Sequence, residues 1–108
     1  MTHEVRFDPR ARNDLTAIFD WIADHAGFDI ADGYIERIET AYRKLTDFPR
    51  RGTQRDDLKP GLRTIAFERR ATIAYSFEGA TVTIERVLYG GRDVTKAFAL
   101  RPSASTIL

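Results

Sequence analysis

Between Ala31 and Pro49 apolar side chains return every three or four positions, at Ala31, Tyr34, Ile35, Ile38, Ala41, Tyr42, Leu45 and Phe48. That spacing is the period of one helical face, and a helix carrying such a stripe must lay it against another element. An upstream segment repeats the arrangement, with Ala11, Leu15, Ile18 and Ile22 on one side and Phe19 and Trp21 on its flanks. Asp8-Pro9 marks its start, because aspartate accepts from the free N–H groups of a first turn and proline tolerates the first helical position. Ala26-Gly27 closes it, and a second start follows at Asp29. Two helices joined around Gly27 form an antiparallel hairpin whose combined apolar face needs a cover.

The second half supplies that cover as a sheet. Residues 62–67, 71–77 and 81–89 are rich in β-branched and aromatic types and are separated by Glu68-Arg69-Arg70 and Glu78-Gly79-Ala80, gaps that suit hairpin turns. In the middle run Ala71, Ile73, Tyr75 and Phe77 alternate with Thr72, Ala74 and Ser76, which predicts one face packed on helices and one more open. Residues 3–7 alternate as well and read as a short strand with Val5 and Phe7 inward. Residues 48–61 carry turn formers at both ends and no periodicity, so they read as a long loop. After Gly90-Gly91, residues 92–98 make either a helical turn or a segment lying along the sheet. The predicted fold is α+β with the order βααβββ: an N-terminal strand and an antiparallel helix hairpin packed on a mainly antiparallel sheet. It forms one domain over residues 1–100, with residues 101–108 as a flexible tail.

Composition narrows function mainly by exclusion. A chain of 108 residues with 43% apolar content has material for one core. Cysteine is absent and His3 and His25 lack partners at ligand spacing, so neither a metal nor another cofactor is expected. No leader pattern and no membrane-length apolar run is present, which makes the cytoplasm the expected location and leaves no membrane role. The net charge of +1 hides a split: residues 1–48 carry ten acids against six bases, whereas residues 49–75 carry seven bases against three acids. A basic middle beside an acidic front suits an acidic partner or a phosphate backbone.

The ordered series of residues resembles the ParE branch of the ParE/RelE toxin superfamily. Val5-Arg6-Phe7-Asp8-Pro9-Arg10-Ala11, Asp14-Leu15, Ile18 and Trp21-Ile22-Ala23 look like that family's first strand and helix. Ala31, Tyr34, Leu45, Phe48-Pro49, Gly52, Gly61-Leu62-Arg63, Ile73-Ala74-Tyr75, Arg86-Val87-Leu88-Tyr89-Gly90 and Arg92-Asp93 follow in order, so the match spans residues 3–98. The resemblance implies the toxin of a type II toxin-antitoxin system, a ParD-type antitoxin partner in a heteromeric complex, and DNA gyrase as target. It also implies that DNA contact comes from the antitoxin, so no direct DNA binding is expected of this chain.

The related RelE branch cleaves messenger RNA on the ribosome. Metal-free cleavage needs groups to take and give protons and cations for the phosphate charge. Here the position resembling the family's central-strand arginine is Thr72, and the position resembling its C-terminal tyrosine is Phe98. Arg92 remains, with Lys59, Arg69 and Arg70, but without an acid-base partner. The expectation is therefore a protein that is not an enzyme and has no catalytic residues. The alternatives are a RelE-like ribosome-dependent ribonuclease and a non-toxic antitoxin-binding module.

Candidate binding residues follow from charge and position. Arg63, Arg69 and Arg70 sit at or beside a hairpin where an acidic antitoxin segment can form bidentate pairs. Arg50, Arg51, Arg55 and Lys59 form a basic loop that is either solvated or a contact surface. Arg92 and Asp93 read equally as an exposed functional pair and as a turn held by a local carboxylate bond. Trp21 and Tyr34 are core or flank aromatics, or else docking anchors on a surface that an antitoxin hides. Arg86, on the apolar alternation with Ile84 and Leu88, marks either a paired interior arginine or a bulge.

Overall fold

The computed structural model describes residues 4–99; His3 and the expected tail over residues 101–108 lie outside the described residues. Strand β1 (Glu4–Phe7) runs into helix α1 (Pro9–Ala26), and helix α2 (Phe28–Asp47) returns antiparallel to it. The Asp8 carboxylate caps α1 by accepting from the Arg10 backbone N–H at 2.8 Å, with Pro9 at the start as expected. The Arg10 side chain also clasps that carboxylate and holds its pKa below the usual aspartate value against a smaller opposing effect of burial. A depressed pKa means that this stabilisation is present above the unfolded value and fades as pH falls through the folded one.

The sheet consists of β2 (Thr53–Gln54), β3 (Arg63–Phe67), β4 (Ala71–Glu78) and β5 (Thr81–Tyr89) together with β1. Its order is β1-β5-β4-β3-β2; β1 lies parallel to β5 and the other pairs are antiparallel. Helix α3 (Val94–Ala99) ends the described chain, which resolves the open choice at residues 92–98 in favour of a helix. Both long helices lie on one face of the sheet. Ile18, Ile22, Tyr34, Ile38, Tyr42 and Leu45 meet Ile73, Tyr75, Val82, Ile84 and Val87 there in the main core. A fully buried aliphatic side chain such as Ile38 contributes about 1.5–3 kcal/mol.

Two expectations need correction. The sheet has five strands, because the segment read as a featureless loop contains a 3-10 turn at Pro49–Arg51 and the two-residue β2. Tyr75 orders it: its hydroxyl accepts from the Gly52 N–H at 2.9 Å and donates to the Pro49 carbonyl at 2.8 Å. The second sheet face is also less open than the alternation suggests, since Ala74 is buried under Leu62 and Phe98 in a small second core with Leu58, Val94 and Ala97. The alternation along β5 is interrupted, as the bulge reading of Arg86 allows. Ala74 pairs with Arg86 and Tyr75 with Ile84, so Glu85 is the extra residue of a β-bulge. The bulge returns Val87 to the core that Val82 and Ile84 line.

A basic cleft between the helix hairpin and the sheet turn

Beyond Phe7, β1 no longer covers β5, and α1 runs alongside it instead. Asp14 fills the gap. Its carboxylate accepts from the buried Val87 N–H at 2.9 Å and takes the Arg86 guanidinium through two bonds of 2.8 and 3.0 Å. Arg86 is thus both paired and next to a bulge. Asp14 is a residue that the apolar-stripe reading passed over. Its signal was available, because it stands four residues before Ile18 and eight before Ile22 on the buried side of α1.

Above this pair opens a cleft of about 590 Å³ lined by Asp14, Ala17, Ile18, Trp21, Arg69, Arg70, Tyr89, Gly90, Gly91 and Arg92. One wall is the β3–β4 turn, closed by the Arg70 N–H donating to the Phe67 carbonyl at 3.1 Å. Glu68 and Arg69, its central residues, have φ of 49° and 61°, the type I′ arrangement that favours asparagine and glycine. Arg37 pins the turn to α2 by two hydrogen bonds to the Glu68 carboxylate, at 2.7 and 3.0 Å. Relief of this backbone strain by Arg69→Gly is expected to raise stability by about 0.5–1 kcal/mol, net of the extra freedom glycine gives the unfolded chain. Urea melts of the two proteins check the gain, and unchanged or lower stability would show the turn to be relaxed.

The opposite wall is aromatic. Trp21 is half exposed and stacks on His25 with centroids 4.0 Å apart, while Tyr89 stands 5.8 Å away. His25 Nδ1 lies 2.7 Å from the Trp21 carbonyl oxygen, fixing the ring against the helix. Among the described residues, Arg69, Arg70 and Arg92 meet no carboxylate within ion-pair distance. Asp14 is the one acid lining the cleft, and both of its oxygens are engaged. The cleft is therefore a cationic trough with an exposed indole, suited to an acidic surface with apolar side chains.

Four of the seven candidate residues, Trp21, Arg69, Arg70 and Arg92, come together here. Tyr34 lies next door in a smaller cavity that shares Trp21, Arg70 and Tyr89 with the cleft. Asp93 does not join them: its carboxylate accepts from the Thr95 N–H at 2.8 Å at the start of α3, the local carboxylate bond of the two readings offered by its sequence. Arg63 also stands apart. It opens β3 away from the turn, and its Nη1 donates to the carbonyls of Arg50 and Gly52, both at 2.9 Å. In the basic loop, Arg55 is paired with Asp57 and Lys59 with Glu85, and Arg50 lies over the Phe77 ring. Tyr89, which lines the cleft, and His25, which lines the smaller cavity beside it, are residues that sequence reasoning did not single out. His25 follows Trp21 by four residues, the helical spacing that stacks side chains. No sequence signal brings Tyr89 to them.

Phe98 is 2% exposed and packs in the second core, and Thr72 lies mid-strand opposite Ala66 and Leu88. No group of three or more metal-ligating side chains occurs among the described residues, and none of the described helices is long and apolar enough to cross a membrane.

Among solved structures, the fold is similar to a chain of the chromosomal ParDE toxin-antitoxin system from P. aeruginosa, with a TM-score of 0.70 over 82% of this chain and 97% of that one. At 23% identity that likeness defines the architecture: a helix hairpin laid on a mostly antiparallel sheet. The family model described as the ParE toxin of type II toxin-antitoxin systems, parDE, matches residues 5–94, and the chain belongs to that family. It is 36% identical over 77 residues to toxin ParE3 of Caulobacter vibrioides, covering 71% of this chain and 76% of that one. It is 29% identical over 97 residues to toxin ParE1 of Mycobacterium tuberculosis, covering 89% and 98%.

Proposed function

We propose that this toxin inhibits DNA gyrase by binding it, without catalysis of its own, and that a ParD-type antitoxin neutralises it in a cytoplasmic complex. The observation that carries the proposal is the cationic, aromatic cleft on a ParE-family fold. The cleft offers Arg69, Arg70 and Arg92 for charge pairing and Trp21 as an apolar anchor. Tryptophan and arginine are the residue types that dominate protein-protein hot spots. Acid-base chemistry has little to work with there, because the Asp14 carboxylate is held by Arg86 and Val87, which leaves the Tyr89 phenol as the one other proton-exchanging side chain besides the arginines lining the cleft. These features favour a binding protein over a ribonuclease.

The test is direct. Purified protein is expected to inhibit gyrase supercoiling of relaxed plasmid, and expression from a tight promoter should bring filamentation and a DNA-damage response with intact transcripts. Replacing Arg69, Arg70 and Arg92 together with glutamine is expected to weaken partner binding by roughly 30–150-fold, on the scale of about 0.7–1 kcal/mol for each charge pair lost. Growth arrest with cleaved transcripts and unaffected gyrase would replace this reading with the RelE-like ribonuclease. Harmless expression of a folded protein would favour the non-toxic antitoxin-binding module.

A further inference from the structure

The two edges of the sheet are finished differently. At one, β2 is two residues long and adjoins the turn that Tyr75 holds. At the other, β1 pairs with β5 in unbroken register from Glu4–Thr81 to Phe7–Ile84 and has no strand on its outer side among the described residues. Glu4 and Asp8 donate their backbone N–H groups to the Ala80 and Ile84 carbonyls, both at 2.9 Å, so the even positions of this segment face β5. Strand geometry then turns the N–H and C=O groups of Val5 and Phe7 outward. An edge of unspent backbone groups is a template for another strand unless proline, a bulge or an inward-pointing charge spoils it, and residues 4–7 have none of these.

The side chains decide which strand fits. Val5 and Phe7 pack against the core on the helix side, while the Glu4 and Arg6 side chains are 60% and 67% exposed. Their mutual contact, at 3.7 Å, is solvated and can be exchanged at little cost. An antiparallel mate forms backbone bonds only where an outward residue meets an outward residue, which for a second copy of β1 leaves registers centred on Glu4, Val5, Arg6 or Phe7. Centres on Glu4 or Arg6 set like charges opposite one another. A centre on Phe7 runs the strand against the first turn of α1, where Pro9 has no N–H to give. A centre on Val5 pairs this residue with its own copy and, by symmetry, sets Glu4 opposite Arg6 twice.

We infer that β1 is the docking edge for β1 of a second copy of this chain, joined antiparallel about a two-fold axis through Val5, with Val5–Val5 backbone bonds flanked by two Glu4–Arg6 pairs. The five-stranded sheet then continues into that of its mate, with both helix hairpins on one face. No residue of β1 lines the arginine cleft, so both clefts stay open and one particle presents two of them. A second attachment raises the apparent affinity for any partner that offers two sites. Pairing of this kind is independent of what fills the cleft and of whether gyrase is the target.

So short an edge buries little surface, and sedimentation velocity of the full chain is expected to give a dimer Kd between about 10 μM and 1 mM. Glu4→Arg and Arg6→Glu each turn two attractive cross-strand pairs into two repulsive ones and should weaken self-association roughly tenfold or more. Both side chains are exposed, so thermal melts of the variants should match the parent. The double exchange, Glu4→Arg with Arg6→Glu, restores opposite charges across the axis and should return the Kd to within about threefold of the parent. An equimolar mixture of Glu4→Arg protein with Arg6→Glu protein should associate more tightly than either alone, because every cross-strand pair is then complementary. A parent chain that stays monomeric up to about 1 mM, or a mixture no tighter than its components, would overturn the inference. So would a dimer indifferent to both single substitutions, which would place the interface on another surface.

Discussion

Replacing Asp14 with alanine is expected to remove about 3–5 kcal/mol of folding stability. The substitution leaves the Arg86 guanidinium, itself 14% exposed, without its carboxylate, and it deprives the buried Val87 N–H of its acceptor. Each loss is costly because water cannot fully replace the missing partner. Asp14→Asn separates the two effects. An amide oxygen still accepts from Val87 but offers Arg86 no charge, so about half of the loss should remain. Arg86→Met in the Asp14→Ala background should recover stability relative to Asp14→Ala alone, since only the N–H is then unanswered. Thermal melts of the four proteins give the values, at about 4–8 °C of melting temperature per kcal/mol for a domain of this size. An Asp14→Ala loss below about 1 kcal/mol would mean that α1 does not serve as a substitute strand for β5.

The same pair shows what the sequence made legible and what it hid. Asp14 and Arg86 each interrupt an apolar pattern, one of period 3.6 and the other of period 2, and two interruptions of opposite sign are a signal that the elements meet. Only Arg86 drew notice, because alternation is easier to see broken than a helical stripe. The bulge that places Arg86 depends on Glu85 being held by Lys59 and Ser76 at 2.6 and 2.8 Å. That is a tertiary contact across 26 residues of chain for Lys59, outside the reach of any local pattern. The helix hairpin, by contrast, was readable to within a residue or two at its ends, since Asp8, Pro9 and Gly27 act locally.

The cleft was partly legible. Arg69 and Arg70 were placed at a hairpin by their flanking strands, but nothing in the chain reveals that the turn leans toward Trp21 instead of solvent. That geometry comes from the ion pair of Arg37 with Glu68, 31 residues apart. Arg63 misled for the same reason. A basic residue beside a hairpin looks available, yet here it serves the backbone carbonyls of Arg50 and Gly52 and so belongs to the order of the loop.

That loop carries the second large expected effect. Gly52→Ala should cost about 3 kcal/mol, although Gly52 has an ordinary extended backbone with φ of −76° and ψ of 164°. The reason is space. A Cβ at this position would stand 2.6 Å from the Tyr75 hydroxyl and 2.9 Å from the Thr64 carbonyl oxygen, and neither can move freely: one belongs to a fully buried ring and the other to β3. Tyr75→Phe removes the first obstacle and the two hydrogen bonds together, and should cost about 2 kcal/mol by leaving the Gly52 N–H unanswered. Because both changes break one latch, the double variant should lose clearly less than the sum of the single losses. Denaturant melts measure the coupling, and a strictly additive result would mean that Tyr75 and Gly52 act independently. None of these residues lines the cleft, so partner binding should survive Gly52→Ala wherever the protein remains folded. Loss of binding in a folded Gly52→Ala protein would instead show that the ordered loop and the cleft are one mechanical unit, with β3 transmitting the disturbance to its turn.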